Sequence, residues 1–186
     1  GGKTAHMAEL MGNHGEIWAC DVHAHKEKLI LAQARRVGAE CVRTLTLDAR
    51  HLPQRFMAET FDRILLDAPC SGLGVIRRKP EIKWRKSAED LYSLSRLQSE
   101  LLDKVCVLLK PGGILVYSTC TIHRRENGDV IGAFLKSHPD FSLDEQFTKD
   151  IRPPLQKAVA GPGMLQILPH HFHTDGFFIA RIRRNA

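Results

Sequence analysis

The sequence predicts an α/β fold, a mostly parallel sheet with helices on both faces, and three observations predict it. Short apolar runs alternate with longer segments of helical spacing, successive apolar runs end in aspartate, and glycine-containing turns separate them. Parallel strands need a crossover long enough to hold a helix, and this alternation supplies one each time.

Taken in order, Gly1-Gly2-Lys3-Thr4 reads as a glycine turn opening a helix. Such a turn normally follows a strand, so the first strand, a central one, is expected to be missing from this chain. Residues 16–20 (EIWAC) form a strand ending in Asp21. Residues 25–37 have helical spacing through Leu29, Ile30, Ala32 and Ala34, with Gly38 as the stop. Residues 41–47 and 61–66 are strands ending in Asp48 and Asp67, the latter closed by Ala68 and Pro69. A helix over 93–109 places Leu94, Leu97, Leu101, Leu102, Val105 and Leu108 on one face. Residues 110–113 (KPGG) turn the chain into a strand at 114–118, and a helix follows over 125–136. Residues 164–168 and 177–182 are the last strands, the second rich in β-formers.

At 186 residues, with 43% hydrophobic and 26% charged, the chain fits one globular domain, 1–186, and not a disordered or low-complexity segment. No apolar run reaches the roughly 18 residues that cross a bilayer, and no signal peptide opens the chain. Five cysteines, an odd number without a secreted framework's spacing, predict reduced thiols in a cytoplasmic protein. A monomer is expected. A net charge of +6 suits a polyanionic partner.

Ligands of open α/β sheets sit beyond the carboxyl ends of the strands. Asp21, Asp48 and Asp67 stand there in succession, and a fourth strand ends at Thr119-Cys120. Aspartate is also a common turn and cap residue, which accounts for one or two of these. Cys70, in Asp67-Ala68-Pro69-Cys70-Ser71-Gly72, follows one strand end as Cys120 follows the next. Neighbouring strands lie about 4.8 Å apart, so both sulfurs are expected to face one cleft. Cys20, Cys41 and Cys106 sit inside apolar runs and read as small buried hydrophobes. A rival reading takes Gly2-Lys3-Thr4 as the end of a P-loop and Ile64-Leu65-Leu66-Asp67 as the metal-binding strand of a nucleotide hydrolase. That reading leaves Asp21, at ribose-binding distance from the glycines, and both cysteines without a role.

The motifs GGKT (1–4), DAPCSGLGVIRRKPEIKW (67–84), YSTCT (117–121) and DGFFIARIRR (175–184) resemble the Sun/Fmu RNA cytosine-5 methyltransferases, over nearly the whole chain. Glu126-Asn127 fits that pattern, and Gly128-Asp129 departs from it. The resemblance implies a Rossmann-like methyltransferase fold, S-adenosylmethionine as cofactor and RNA, ribosomal RNA above all, as partner. It implies that Gly1, Gly2 and Lys3 end the cofactor loop, that Asp21 binds the ribose, and that Asp48 lies beside the adenine. Asp67 would serve the cofactor's reactive end and the target base, Cys120 would be the nucleophile, and Cys70 would act in product release. Chemistry alone does not separate the two thiols: cytosine carbon 5 needs a thiolate on carbon 6 before it can take a methyl group, and either cysteine fits. A noncatalytic RNA-binding domain on the same fold is the other alternative.

Arg77, Arg78, Lys79, Lys83, Arg85 and Lys86 follow the first cysteine, Arg124 and Arg125 the second. Cations flanking both thiols are what a phosphate track needs, and Trp84 among them either stacks on a base or packs beneath its loop. His170, His171 and His173 have no suitably spaced partners, so no metal is expected.

Overall fold

A computed structural model describes residues 1–186, which divide into two compact units, Gly1–Arg55 and Phe56–Ala186. In the first, α1 (Gly2–Leu10), β1 (Ile17–Asp21), α2 (Ala24–Arg36), β2 (Val42–Thr46) and α3 (Leu52–Arg55) follow one another. β1 and β2 pair in parallel, with Asp21 opposite Thr46. Helix α2 carries Glu27 in its first turn and Arg35 and Arg36 in its last, charges that complement its dipole. Its buried Ile30 and Ala34 meet Ala8, Ala19, Cys41 and Val42 in a core of mostly small side chains. Asn13 fixes the entry to β2: its amide donates to the Gly38 carbonyl, and its oxygen accepts from Glu40 and Cys41 N–H.

The second unit holds β3 (Phe61–Asp67), α4 (Ile82–Arg85), α5 (Ala88–Cys106), β4 (Leu109–Thr119), α6 (Gly128–Ser137) and β5 (Phe141–Leu143). It continues with α7 (Glu145–Lys149), β6 (Val159–Gly161), β7 (Met164–Ile167), α8 (Pro169–Phe172) and β8 (Phe177–Arg184). Its sheet runs β3-β4-β8-β7-β6, with β5 also on β8. β3 and β4 are parallel, joined by α5. The mostly parallel sheet expected from the sequence is corrected to a mixed one, because β8 pairs antiparallel with β4, β5 and β7, and β6 with β7. The physical reason lies in the connections: two residues join β6 to β7, and between β7 and β8 only the four-residue α8 intervenes, too short for a parallel crossover, so the chain returns in hairpin fashion.

Helix α5 begins five residues before the expected start, at a capping box in which Ser87 accepts from Asp90 N–H and Asp90 from Ser87 N–H. Its apolar stripe packs against a sheet centred on β4, where Leu115 and Tyr117 are fully buried beside Ala180 and Ile182 of β8. Residues 110–113 do leave the ladder, since Phe61 pairs with Leu109 but Arg63 with Ile114. The helix expected over 125–136 is broken: a 3₁₀ turn covers Arg124–Glu126, and α6 starts only at Gly128. On β8 the alternating arginines are more than surface. Arg181 and Arg183 hold the nearly buried Asp144 at 3.0 and 3.1 Å, and Arg184 pairs with Glu59 and Asp140.

Candidate active site

Because β3 and β4 run side by side in the same direction, with Asp67 opposite Ser118, their loops leave the sheet at one end. Cys70 and Cys120 meet there, sulfur to sulfur at 3.3 Å, both half-buried. Backbone N–H groups of Gly72 and Cys120 also point at the Cys70 sulfur. The hydrogen bond with Cys120, then burial, then the charge on Cys120 push the Cys70 thiol far above the ordinary cysteine range. Two thiols this close do not both ionise, so at least one sulfur of the pair keeps its proton. Asp67 is exposed at the strand end, and Ser118 Oγ donates to its Oδ1 at 3.0 Å.

A buried polar cluster behind the sulfurs joins the two loops. Glu126, fully buried, accepts from Ser71 N–H (2.8 Å) and Ser71 Oγ on the first loop, and from Thr121 Oγ1 (3.2 Å) on the second. Gln98, on the buried face of α5, donates to Glu126 at 3.0 Å and to the Pro69 carbonyl at 2.8 Å. Tyr117 Oη donates to the Glu126 carbonyl, and Asn127 bonds Thr119, the Thr121 carbonyl and Gln166. These contacts are why the helix breaks at Glu126-Asn127: both side chains are drawn inward, away from a helical surface. Sequence reasoning missed Glu126, Gln98, Ser71 and Thr121 as parts of the site. The available signal was Gln98, an amide on a helix face otherwise made of leucines and valine, which a helix buries only when its polar group has partners.

Three backbones also touch here. Gly74 N–H donates to the Cys120 carbonyl, and Gly176 N–H, ahead of β8, donates to the Gly74 carbonyl. A Cβ on Gly74 would stand 2.2 Å from the Gly176 oxygen and 2.7 Å from the Cys120 oxygen, so only glycine fits.

In the first unit, Asp21 and Asp48 lie at the same end of their parallel pair. Asp21 accepts from the His23 N–H, and Asp48 caps a 3₁₀ turn by accepting from Arg50 N–H while holding the Arg50 guanidinium at 2.7 Å. Both thus serve as turn residues, and Asp48 is held down to about 2 by Arg50. Gly1 caps α1, whose first turn contains Gly2 and Lys3. A Cβ on Gly1 would press on the backbone of Ile30, at 3.1 Å. The other cysteines are inert: burial raises Cys20 and Cys106 to about 11, and Cys41 is buried in the core. No group of histidine, cysteine and carboxylate side chains is arranged to hold a metal, and no helix is long and apolar enough to cross a membrane.

A family model described as 16S rRNA methyltransferase RsmB/F matches residues 1–183. The chain is 49% identical over 190 residues to a probable ribosomal RNA small subunit methyltransferase B of Bacillus subtilis, covering all of this chain and 41% of that protein. It is 40% identical over 185 residues to the probable methyltransferase B of Synechocystis, again covering 41% of it. The chain therefore spans about two fifths of the length of these curated relatives. Among solved structures, that of PH0851 superposes with a TM-score of 0.90 at 40% identity, covering 98% of this chain and 40% of the other. NSun6 from Pyrococcus horikoshii, solved with SFG, superposes at 0.83 and 33% identity, covering 100% and 46%.

Proposed function

The chain belongs to the RsmB/F family of 16S rRNA methyltransferases, and from that premise we propose that it transfers a methyl group from S-adenosylmethionine to carbon 5 of a cytosine in ribosomal RNA, with Cys120 as nucleophile. The observation that carries the reading is the 3.3 Å contact between Cys70 and Cys120 at the ends of adjacent parallel strands, beside an exposed Asp67. A nucleotide hydrolase has no use for such a pair, and the family match extends through Gly2-Lys3-Thr4, which were its main support.

The Cys120 thiolate adds to carbon 6 of the cytosine, and the ring's electron pair moves to carbon 5. Bound S-adenosylmethionine would supply an electrophilic sulfonium methyl to carbon 5, its sulfur–methyl bond electrons staying with the neutral thioether product. The carbon 5 proton then leaves, the sulfur–carbon 6 bond breaks, and the Cys120 thiolate is restored. Asp67 takes the polar edge of the ring, at nitrogen 3 and the amino group, and steadies the charge that develops there.

Cys70 fits the release step for an electrostatic reason. While Cys120 is a thiolate, its hydrogen bond and charge keep Cys70 protonated. Once the Cys120 sulfur is bonded to carbon, both influences vanish and burial alone still raises the Cys70 thiol. Cys70 then loses its proton to solvent and accepts the one on carbon 5. When Cys120 leaves, the pair again holds one proton, and the net release is the carbon 5 proton.

In the first unit, Gly1, Gly2, Lys3, Asp21 and Asp48 are the residues proposed to hold the cofactor. The donor set suits a nucleoside: Asp21 has one backbone N–H as partner and oxygen capacity left for ribose hydroxyls. Asp48 is already neutralised by Arg50, so it suits a neutral adenine edge better than a cation.

The test uses the full-length protein with ribosomal RNA and S-adenosylmethionine, in Cys70→Ala and Cys120→Ala versions. A denaturing gel is expected to show RNA covalently trapped by Cys70→Ala and none on Cys120→Ala. The reverse pattern exchanges the two roles, and no adduct together with no methyl transfer refutes the reaction.

A further inference from the structure

Trp84 has no folding role in this structure, being 81% exposed in the four-residue helix α4. An indole left in water forgoes most of the burial that makes tryptophan useful in a core. Around it, residues 77–86 carry six cations and one acid, and every residue from 77 to 90 is exposed except Ile82. The segment is nonetheless anchored at two points. Ile82 lies on Gly72, its Cδ1 3.2 Å from where a Cβ would be, and Gly72 at φ +74° turns its N–H to the Cys70 sulfur. Arg78 forms an ion pair with Asp175, next to the Gly176 that bonds Gly74. Trp84 is thus two residues from a side chain packed on the turn that holds one of the paired thiols. Lys83 Nζ stands 5.2 Å from the indole centroid.

We propose that Trp84 is a stacking platform for an unpaired RNA base next to the target cytosine, with Lys83, Arg85 and Lys86 gripping the flanking phosphates. The proposal rests on the RNA reading above and assigns it a specific contact. A target base leaves its stack before a thiol can reach carbon 6, which strips a neighbouring base of its stacking partner. An aromatic face on the segment anchored to the Cys70 turn replaces that partner, and does so for any base, since each has a π-face. Charge alone would attract duplex and single strand alike; the exposed indole selects the unpaired strand.

The experiment uses the full-length protein and measures two things: affinity for a single-stranded RNA and for a duplex of the same sequence by fluorescence anisotropy, and KM and kcat for methyl transfer to ribosomal RNA. The variants are Trp84→Ala, Trp84→Phe and the paired charge variant Lys83→Gln/Lys86→Gln. Trp84→Ala is expected to weaken single-strand binding and raise KM about tenfold, with kcat within about twofold and duplex binding unchanged. Trp84→Phe recovers most of the loss. The charge variant flattens the dependence of binding on salt, which Trp84→Ala leaves alone. Unchanged single-strand affinity in Trp84→Ala, or equal losses for single strand and duplex, overturns the platform. Binding that follows this pattern without methyl transfer by any version upholds the platform and overturns the reaction instead. Because the indole is exposed, matched melting temperatures are expected for all versions and check that each is folded.

Discussion

Asp48 shows how one residue can satisfy a local rule and a chemical one together. Its side chain caps a turn and pairs with Arg50, and the pairing holds it at about 2. A carboxylate depressed in the folded state adds stability above its unfolded value near 4, and that contribution fades as pH falls through 4 toward 2. Asp48→Ala is therefore expected to cost about 1 kcal/mol at pH 7, the worth of a cap, and close to nothing at pH 2. Urea unfolding of both proteins across that range checks it. Cys70 is moved the opposite way: the hydrogen bond with Cys120, then burial, then the charge on Cys120 raise its thiol and keep it neutral. The sequence made both cysteines and all three aspartates legible because each is a reactive type placed just after an apolar run. It left the coupling of the two sulfurs hidden, since that depends on a distance of 3.3 Å.

Between residues and the whole chain stand the elements, and here the least visible part of the site resides. The segment over 125–136 has the composition of a helix, and its first turn is nevertheless sacrificed to bring Glu126 and Asn127 inside. Propensity lost to tertiary hydrogen bonds, which no local pattern encodes. The position of α5 follows from the same contacts, because Gln98 reaches across to Pro69 and Glu126. Removing the carboxylate strands the N–H of Ser71 and an amide N–H of Gln98 in a buried place, and leaves the Ser71 and Thr121 hydroxyls only each other. Glu126→Ala is expected to destabilise by about 3 kcal/mol, and Glu126→Gln by less, because its carbonyl still accepts. Chemical denaturation with an unchanged m-value measures this.

At the scale of the molecule, the two units differ in what holds them. The first relies on Ala8, Ala19, Ala34 and Cys41 around a two-stranded parallel pair, which buries little area per residue. The second surrounds β4 with fully buried Leu102, Leu109, Leu115, Tyr117 and Ile182. Amide hydrogen exchange is expected to be faster in β1 and β2 than in β4 and β8 by two orders of magnitude or more, a gap of about 3 kcal/mol in opening energy; equal rates would refute the difference. Strand–helix alternation made the α/β class readable, as did most strand positions. Strands β7 and β8 were readable but not their antiparallel direction, which a period-2 pattern does not encode, and β5 and β6, three residues each, are too short to show a period. The meeting of Gly74, Gly176 and the Cys120 carbonyl has a practical consequence for protein engineering. Anyone transplanting the thiol pair into another scaffold must carry three separated stretches as one cassette, because a donor loop moved alone arrives without the two backbones that give it its shape.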